Sequence, residues 1–140
     1  MIMRTIRIIL TLALFMPVVA CSAQTEKKDV KAGSSDKIEA YYFHFTARCM
    51  TCRTVEAQAK EDIETLYPEL VKQGKISFQS VNLDEESSKA LAEKLQVYGQ
   101  TLLIVKGDTK IILTNEGFMY AVREPEKLKA IMKEKIDSLM

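Results

Sequence analysis

The chain changes period abruptly at one point, and that change restricts the folds open to it. Ile38 to Thr46 is dense in aromatic and β-favouring residues and predicts a strand. Bulky groups occupy both sets of alternate positions, Phe43 and Phe45 on one, Ile38 and Tyr42 on the other. That pattern predicts a central strand covered on both faces. From Cys52 onward the apolar residues fall three or four apart: Cys52, Val55, Ala59, Ile63, Leu66 and Leu70. This is one stripe of a helix. The junction is Cys49-Met50-Thr51-Cys52, so a C-x-x-C pair opens the helix that follows the strand.

Local signals order the rest. Pro68 should kink or end the regular part of that helix, and Gly74 is a stop signal. Ile76, Phe78 and Val81 mark a second strand ending at Asn82. Asp84 is a candidate N-cap for a helix through Leu95, with Leu91 and Leu95 inward. Thr101 to Val105 is a nearly continuous apolar run, as in a buried strand. Gly107-Asp108 then predicts a hairpin to a strand over Lys110 to Thr114. Pro125 suits the first turn of a last helix, whose inner stripe and edge are Leu128, Ile131, Met132, Lys135, Ile136 and Leu139. The expected order is β-α-β-α-β-β-α: an α/β fold with a mixed central sheet and helices on both faces.

The first 37 residues read differently. Arg4 and Arg7 precede an apolar run from Ile8 to Ala20, the length of a signal-peptide core and short for a bilayer span. It ends in Val18-Val19-Ala20-Cys21, which resembles the lipobox of bacterial lipoproteins. Residues 1–20 are therefore expected to be a lipoprotein signal peptide. Cys21 would carry lipid and hold the protein to a membrane of the bacterial cell envelope, with the domain outside the cytoplasm. Residues 21–37 are small and polar and predict a flexible tether, leaving 38–140 as the folded domain. The chain has three cysteines, and lipidation of Cys21 removes the odd one. A net charge of +1 gives no pull toward nucleic acid, and no glycine-rich loop offers a phosphate cradle.

A thiol at a helix start meets unpaired N–H groups and the positive end of the helix dipole, both of which favour the thiolate. Arg48 and Arg53 are expected to add positive charge. Cys49, the first of the pair, is the candidate nucleophile, and Cys52, one turn on, the resolving thiol. Two other readings stay open. One is a purely structural disulfide, a weak staple for so short a loop. The other is a metal site, although structural zinc needs four ligands and His44 is the single histidine. His44 reads as a packed strand residue or, alternatively, a ligand. Met50 reads as a solvent-facing turn residue or an apolar contact for a partner.

The order of elements around this pair is similar to the thioredoxin fold over residues 38–140. Val81-Asn82-Leu83-Asp84 looks like the end of the family's next strand, and Gly99-Gln100-Thr101-Leu102-Leu103 like its loop facing the active site. Tyr41-Tyr42-Phe43-His44-Phe45, Arg48-Cys49-Met50-Thr51-Cys52, Gln100 through Gly107 and Leu113-Thr114-Asn115-Glu116 resemble a group of short bacterial thioredoxin-like proteins, the nitrophenyl-compound nitroreductase subunit ArsF family. The resemblance implies a redox-active disulfide without a bound cofactor, and exported protein thiols or disulfides as partners. It also implies an external electron donor or acceptor. Arg48, Gln100 and Thr101 are candidate substrate-binding residues. Three positions depart from thioredoxin. Met50-Thr51 replaces Gly-Pro between the cysteines; Phe43 and Ser80 stand where a buried aspartate and its lysine partner would be; Gln100 stands in place of a cis-proline. A non-proline cis bond costs about 2.5–4 kcal/mol, so the Gln100 peptide is expected to be trans. Without the proline ring the thiols are less shielded, which leaves capture of a soft metal or metalloid by Cys49 and Cys52 as an alternative. A redox subunit of a larger reductase is a third reading.

Overall fold

A computed structural model describes residues 36–140. The expected signal peptide, Cys21 and nearly all of the expected tether lie outside the described residues.

The first strand, β1 (Ile38–His44), takes the central place that its aromatic pattern predicts. It pairs in parallel with β2 (Ile76–Asn82) and antiparallel with β3 (Thr101–Lys106), and β4 (Thr109–Ile112) closes the far edge, giving the order β2-β1-β3-β4. Ile38, Ala40 and Tyr42 enter one core and Tyr41 and Phe43 the other. β1 stops at His44, two residues before the expected end, and Phe45 leaves the sheet. Polar contacts cause the exit: the Thr46 N–H donates to the Asp84 carboxylate at 2.7 Å, and the Asn82 amide donates to Thr46 Oγ1 at 2.9 Å.

Helix α1 (Met50–Leu66) buries Cys52, Val55, Ala59 and Ile63, the predicted stripe, together with Asp62. Leu66 and Leu70 sit at the edge of the core, half-buried. Proline lacks an N–H and crowds the carbonyl four residues back, so α1 ends and Pro68 opens a separate short helix, α2 (Pro68–Lys72). Gly74 follows with φ +72°, a conformation that costs glycine little.

Helix α3 (Glu86–Leu95) starts after Glu85, not at Asp84. The Asp84 carboxylate is occupied by Thr46, so it cannot cap the helix. Ala92, Leu95 and Ser88 face inward, while Leu91 is only half-buried. Gly107, at φ +56°, turns β3 into β4 as its sequence predicts.

The segment after β4 departs from expectation. The strand read over Lys110 to Thr114 ends at Ile112, and α4 (Thr114–Tyr120) follows at once. Leu113 is buried, with its N–H bonded to the Leu102 carbonyl at 2.8 Å, and Thr114 Oγ1 accepts the Leu102 N–H at 3.1 Å. These two bonds hold the chain to Leu102 of β3 at the point where the helix begins. The last helix, α5 (Pro125–Asp137), has Pro125 in its first turn and buries Leu128, Met132 and Ile136. The observed order is therefore β-α-α-β-α-β-β-α-α. Residues of α1, α4 and α5 cover one sheet face and those of α3 the other, so helices on both faces hold as predicted. Among the described residues no helix is long and apolar enough to cross a membrane.

Candidate active site

The C-terminal ends of β1 and β2 meet the start of β3, with His44 opposite Asn82 and Phe43 opposite Thr101. The Cys49 to Cys52 segment crosses this end. Cys49 is the N-cap of α1 and exposed; Cys52 is 4% exposed. Both thiols are free, with Sγ atoms 2.7 Å apart. A sulfur N-cap performs the task usually given to serine or aspartate: Cys49 Sγ accepts the Cys52 N–H at 3.4 Å.

The Cys49 thiol is held below its ordinary range. The largest cause is its hydrogen bond with the Cys52 thiol, followed by the Cys52 backbone N–H and those of Thr51 and Cys49; partial desolvation opposes them. The arginines expected to supply positive charge are not among these causes. Arg48 is ion-paired with Glu56, and both side chains are largely buried. Arg53 is exposed, and its contact with Cys49 is a backbone N–H to the Cys49 carbonyl at 3.3 Å. The Cys52 thiol first, then the backbone N–H groups of the helix start, and not the flanking cations, favour the thiolate here.

Gln100 reaches the buried thiol. The Cys52 S–H donates to Gln100 Oε1 at 3.5 Å, and no described peptide bond is cis. The Thr101 hydroxyl donates to the Gly99 carbonyl at 3.0 Å and braces the loop. His44 is buried, and its Nδ1 donates to the Phe45 carbonyl at 2.9 Å. That bond fixes the tautomer, and Nε2 lies 2.9 Å from Ser80 Oγ. His44 is thus a packed, hydrogen-bonded strand residue. Phe43 is fully buried on the α3 side, so neither Phe43 nor Ser80 restores a buried carboxylate. Among the described residues no three His, Cys, Asp or Glu side chains gather as metal ligands, and the dithiol offers two.

Two neighbours of the pair escaped sequence reasoning. Tyr42 is fully buried, and its hydroxyl has no hydrogen-bond partner. Burial first, then the nearby Cys52 thiol, pushes its pKa up to about 12; Arg48 acts in the opposite sense, and Glu56 and Cys49 add to the rise. Glu56 follows Cys52 by four residues on α1, the spacing that puts two side chains on one helix face. That spacing was the available signal. Met50, between the two cysteines, is 76% exposed, and a groove of about 360 Å³ with a mixed polar and apolar lining is formed by Thr51, Phe118, Met119, Val122 and Arg123.

A mixed sheet of this order, with a C-x-x-C pair opening the helix after its central strand, defines a thioredoxin-like α/β domain. Among solved structures, the chain is similar to oxidized thioredoxin O2 of Arabidopsis thaliana, with 22% identity and a TM-score of 0.46, covering 71% of this chain and 75% of that one. It is also similar to the germline-specific thioredoxin Deadhead of Drosophila melanogaster, with 18% identity and a TM-score of 0.43, covering 71% and 81%. No protein-family model and no curated protein matches the chain. The resemblance to the ArsF-type subunits accordingly rests on the sequence motifs alone.

Proposed function

We propose that this chain is a thiol–disulfide oxidoreductase that acts on exported proteins, held to a membrane of the bacterial cell envelope by lipid on Cys21. The observation that carries the chemistry is the asymmetry of the pair. Cys49 is exposed and its thiol is lowered, while Cys52 is buried 2.7 Å away. The Cys49 thiolate attacks a substrate disulfide, and the displaced substrate sulfur leaves as a thiolate and takes a proton. Cys52 then attacks the Cys49 sulfur. The second substrate sulfur leaves, and the protein keeps the disulfide. The substrate gains two electrons, and an external dithiol donor must return the pair to its reduced state. Arg48, bound to Glu56, is a support of the site in this reading. Met50 provides apolar contact for a polypeptide, and the groove beside Thr51 mixed polar and apolar contact.

The test is reduction of insulin with a dithiol donor. Wild-type protein should accelerate it, Cys49→Ser should abolish it, and Cys52→Ser should accumulate a mixed disulfide through Cys49. Failure of Cys52→Ser to trap any partner, together with ordinary thiol acidity at Cys49, would refute the proposal.

A further inference from the structure

The Cys52 proton has two acceptors within reach: Cys49 Sγ at 2.7 Å and Gln100 Oε1 at 3.5 Å. Apart from Cys49, Gln100 is the one side chain bonded to Cys52 Sγ among the described residues. A single S–H can point well at only one acceptor, and the choice matters at both stages of the exchange. Aimed at Cys49, it is the leading cause of the lowered Cys49 thiol. In the mixed disulfide the same aim is unproductive. It puts a hydrogen on the line along which the Cys52 lone pair must approach the Cys49 sulfur. Gln100 takes the hydrogen off that line. The flanking chain fixes its place: Thr101 pairs with Phe43 in the sheet, and the Thr101 hydroxyl holds the Gly99 carbonyl at 3.0 Å. A glutamine amide also carries two N–H donors. Its terminal torsion is soft and roughly two-fold, so a half-turn presents Nε2–H to the Cys52 sulfur once that sulfur is a thiolate. An aliphatic side chain or a proline ring at this position would supply neither contact.

We propose that Gln100 is a positioning residue for Cys52 in the resolving step, its side-chain amide holding the S–H away from Cys49 and then donating to the thiolate. The inference rests on the thiol–disulfide reading above, and it gives the Gln100 side chain this role in place of substrate contact. The Cys52 electron pair forms the bond to the Cys49 sulfur. The Cys49–substrate bond breaks, and its electron pair leaves with the substrate sulfur. The proton released from Cys52 ends on that departing sulfur. The cysteine pair is left oxidised and the substrate reduced, and Gln100 itself gains and loses nothing.

Rapid mixing of the reduced full chain with a disulfide-linked fluorescent peptide separates the two steps. A first phase that scales with peptide concentration reports attack by Cys49. A second, concentration-independent phase reports release by Cys52. Gln100→Leu removes both hydrogen-bonding roles at similar volume. Gln100→Glu keeps an acceptor but adds a charge that opposes a thiolate. The leucine variant should slow the second phase by about threefold to tenfold, the worth of one uncharged hydrogen bond, and the glutamate variant should slow it further. Alkylation by iodoacetamide, which needs no peptide docking, gives the readout that packing alone would not move. The pH midpoint for Cys49 should fall by about 0.3–1 pH unit in Gln100→Leu, because the Cys52 S–H is then left to Cys49. It should rise in Gln100→Glu. Unchanged second phases and midpoints in both variants would overturn this inference and leave the proposed function standing. Second phases slowed equally in both, with unmoved midpoints, would overturn it too, since loop packing then accounts for the loss. Absence of the first phase from wild-type protein would overturn the inference and the proposed function together.

Discussion

Gly117 is where one methyl group should reveal how the domain is assembled. It lies on the buried side of α4, and a Cβ there would stand 2.8 Å from Val55 Cγ1 and 3.5 Å from Leu102 Cδ2. Carbon atoms rest at about 3.5–4.0 Å, so Gly117→Ala requires a movement of nearly 1 Å. Val55 is fully buried in α1, and a β-branched residue in a helix has one strongly preferred rotamer. The strain must therefore go into the spacing of α4 and α1. Overpacking costs about 1–3 kcal/mol, and the better helix propensity of alanine returns about 0.8–1 kcal/mol. The net loss should be about 0–2 kcal/mol. In a domain of about 100 residues each kcal/mol moves Tm by about 4–8 °C. Thermal unfolding followed by far-ultraviolet circular dichroism would read this. The decisive comparison is a cycle with Val55→Ala, which removes the atoms in the way. Gly117→Ala should destabilise the wild-type chain and stabilise the Val55→Ala chain. If the substitution raises Tm in both backgrounds, the packing argument fails. Because Met119 and Phe118 of α4 line the groove beside Thr51, the strained variant should also exchange disulfides more slowly.

Two further outcomes follow from ionisation. Cys52→Ala removes the leading cause of the lowered Cys49 thiol, so the pH midpoint for alkylation of Cys49 should rise toward that of an ordinary thiol; an unmoved midpoint would show that the Cys52 side chain is irrelevant. Asp62 is fully buried in α1, with Oδ1 accepting from Gln58 at 2.8 Å and Oδ2 unpartnered, and burial pushes its carboxyl up from 3.8. A raised folded-state pKa means the neutral form is the stabilising one, so its contribution is complete below about pH 3.8 and is lost as pH rises through the folded value. Asp62→Asn should accordingly gain on wild type in urea midpoint between pH 4 and pH 7; a gap that fails to widen would count against the burial argument.

Much of the fold was legible because it is written in neighbouring residues. The change of period at Cys49, the turn at Gly107, the break at Pro68 and the stripe Leu128, Met132, Ile136 depend on backbone preferences and side-chain directions within a few positions. The helical turn after Leu113 was not legible. Its seven residues carry no full stripe, and the helix begins where Leu113 and Thr114 bond to Leu102 of β3. Asp84 shows the same limit, since its sequence context fits a helix cap and its carboxylate went to Thr46, 38 positions away.

The candidate site divides along the same line. The sequence by itself determined that two thiols, three residues apart, open a helix behind a buried strand, because spacing and periodicity are local properties. Only the tertiary structure decided which groups surround them. Arg48 was drawn from the thiolate to Glu56, Gln100 arrived at Cys52 from 48 residues away, and Tyr42 was sealed under α1 with its hydroxyl unpaired. Such partners are chosen by which side chains packing brings within hydrogen-bond reach, and the strength of a charge or a proton affinity depends on that choice.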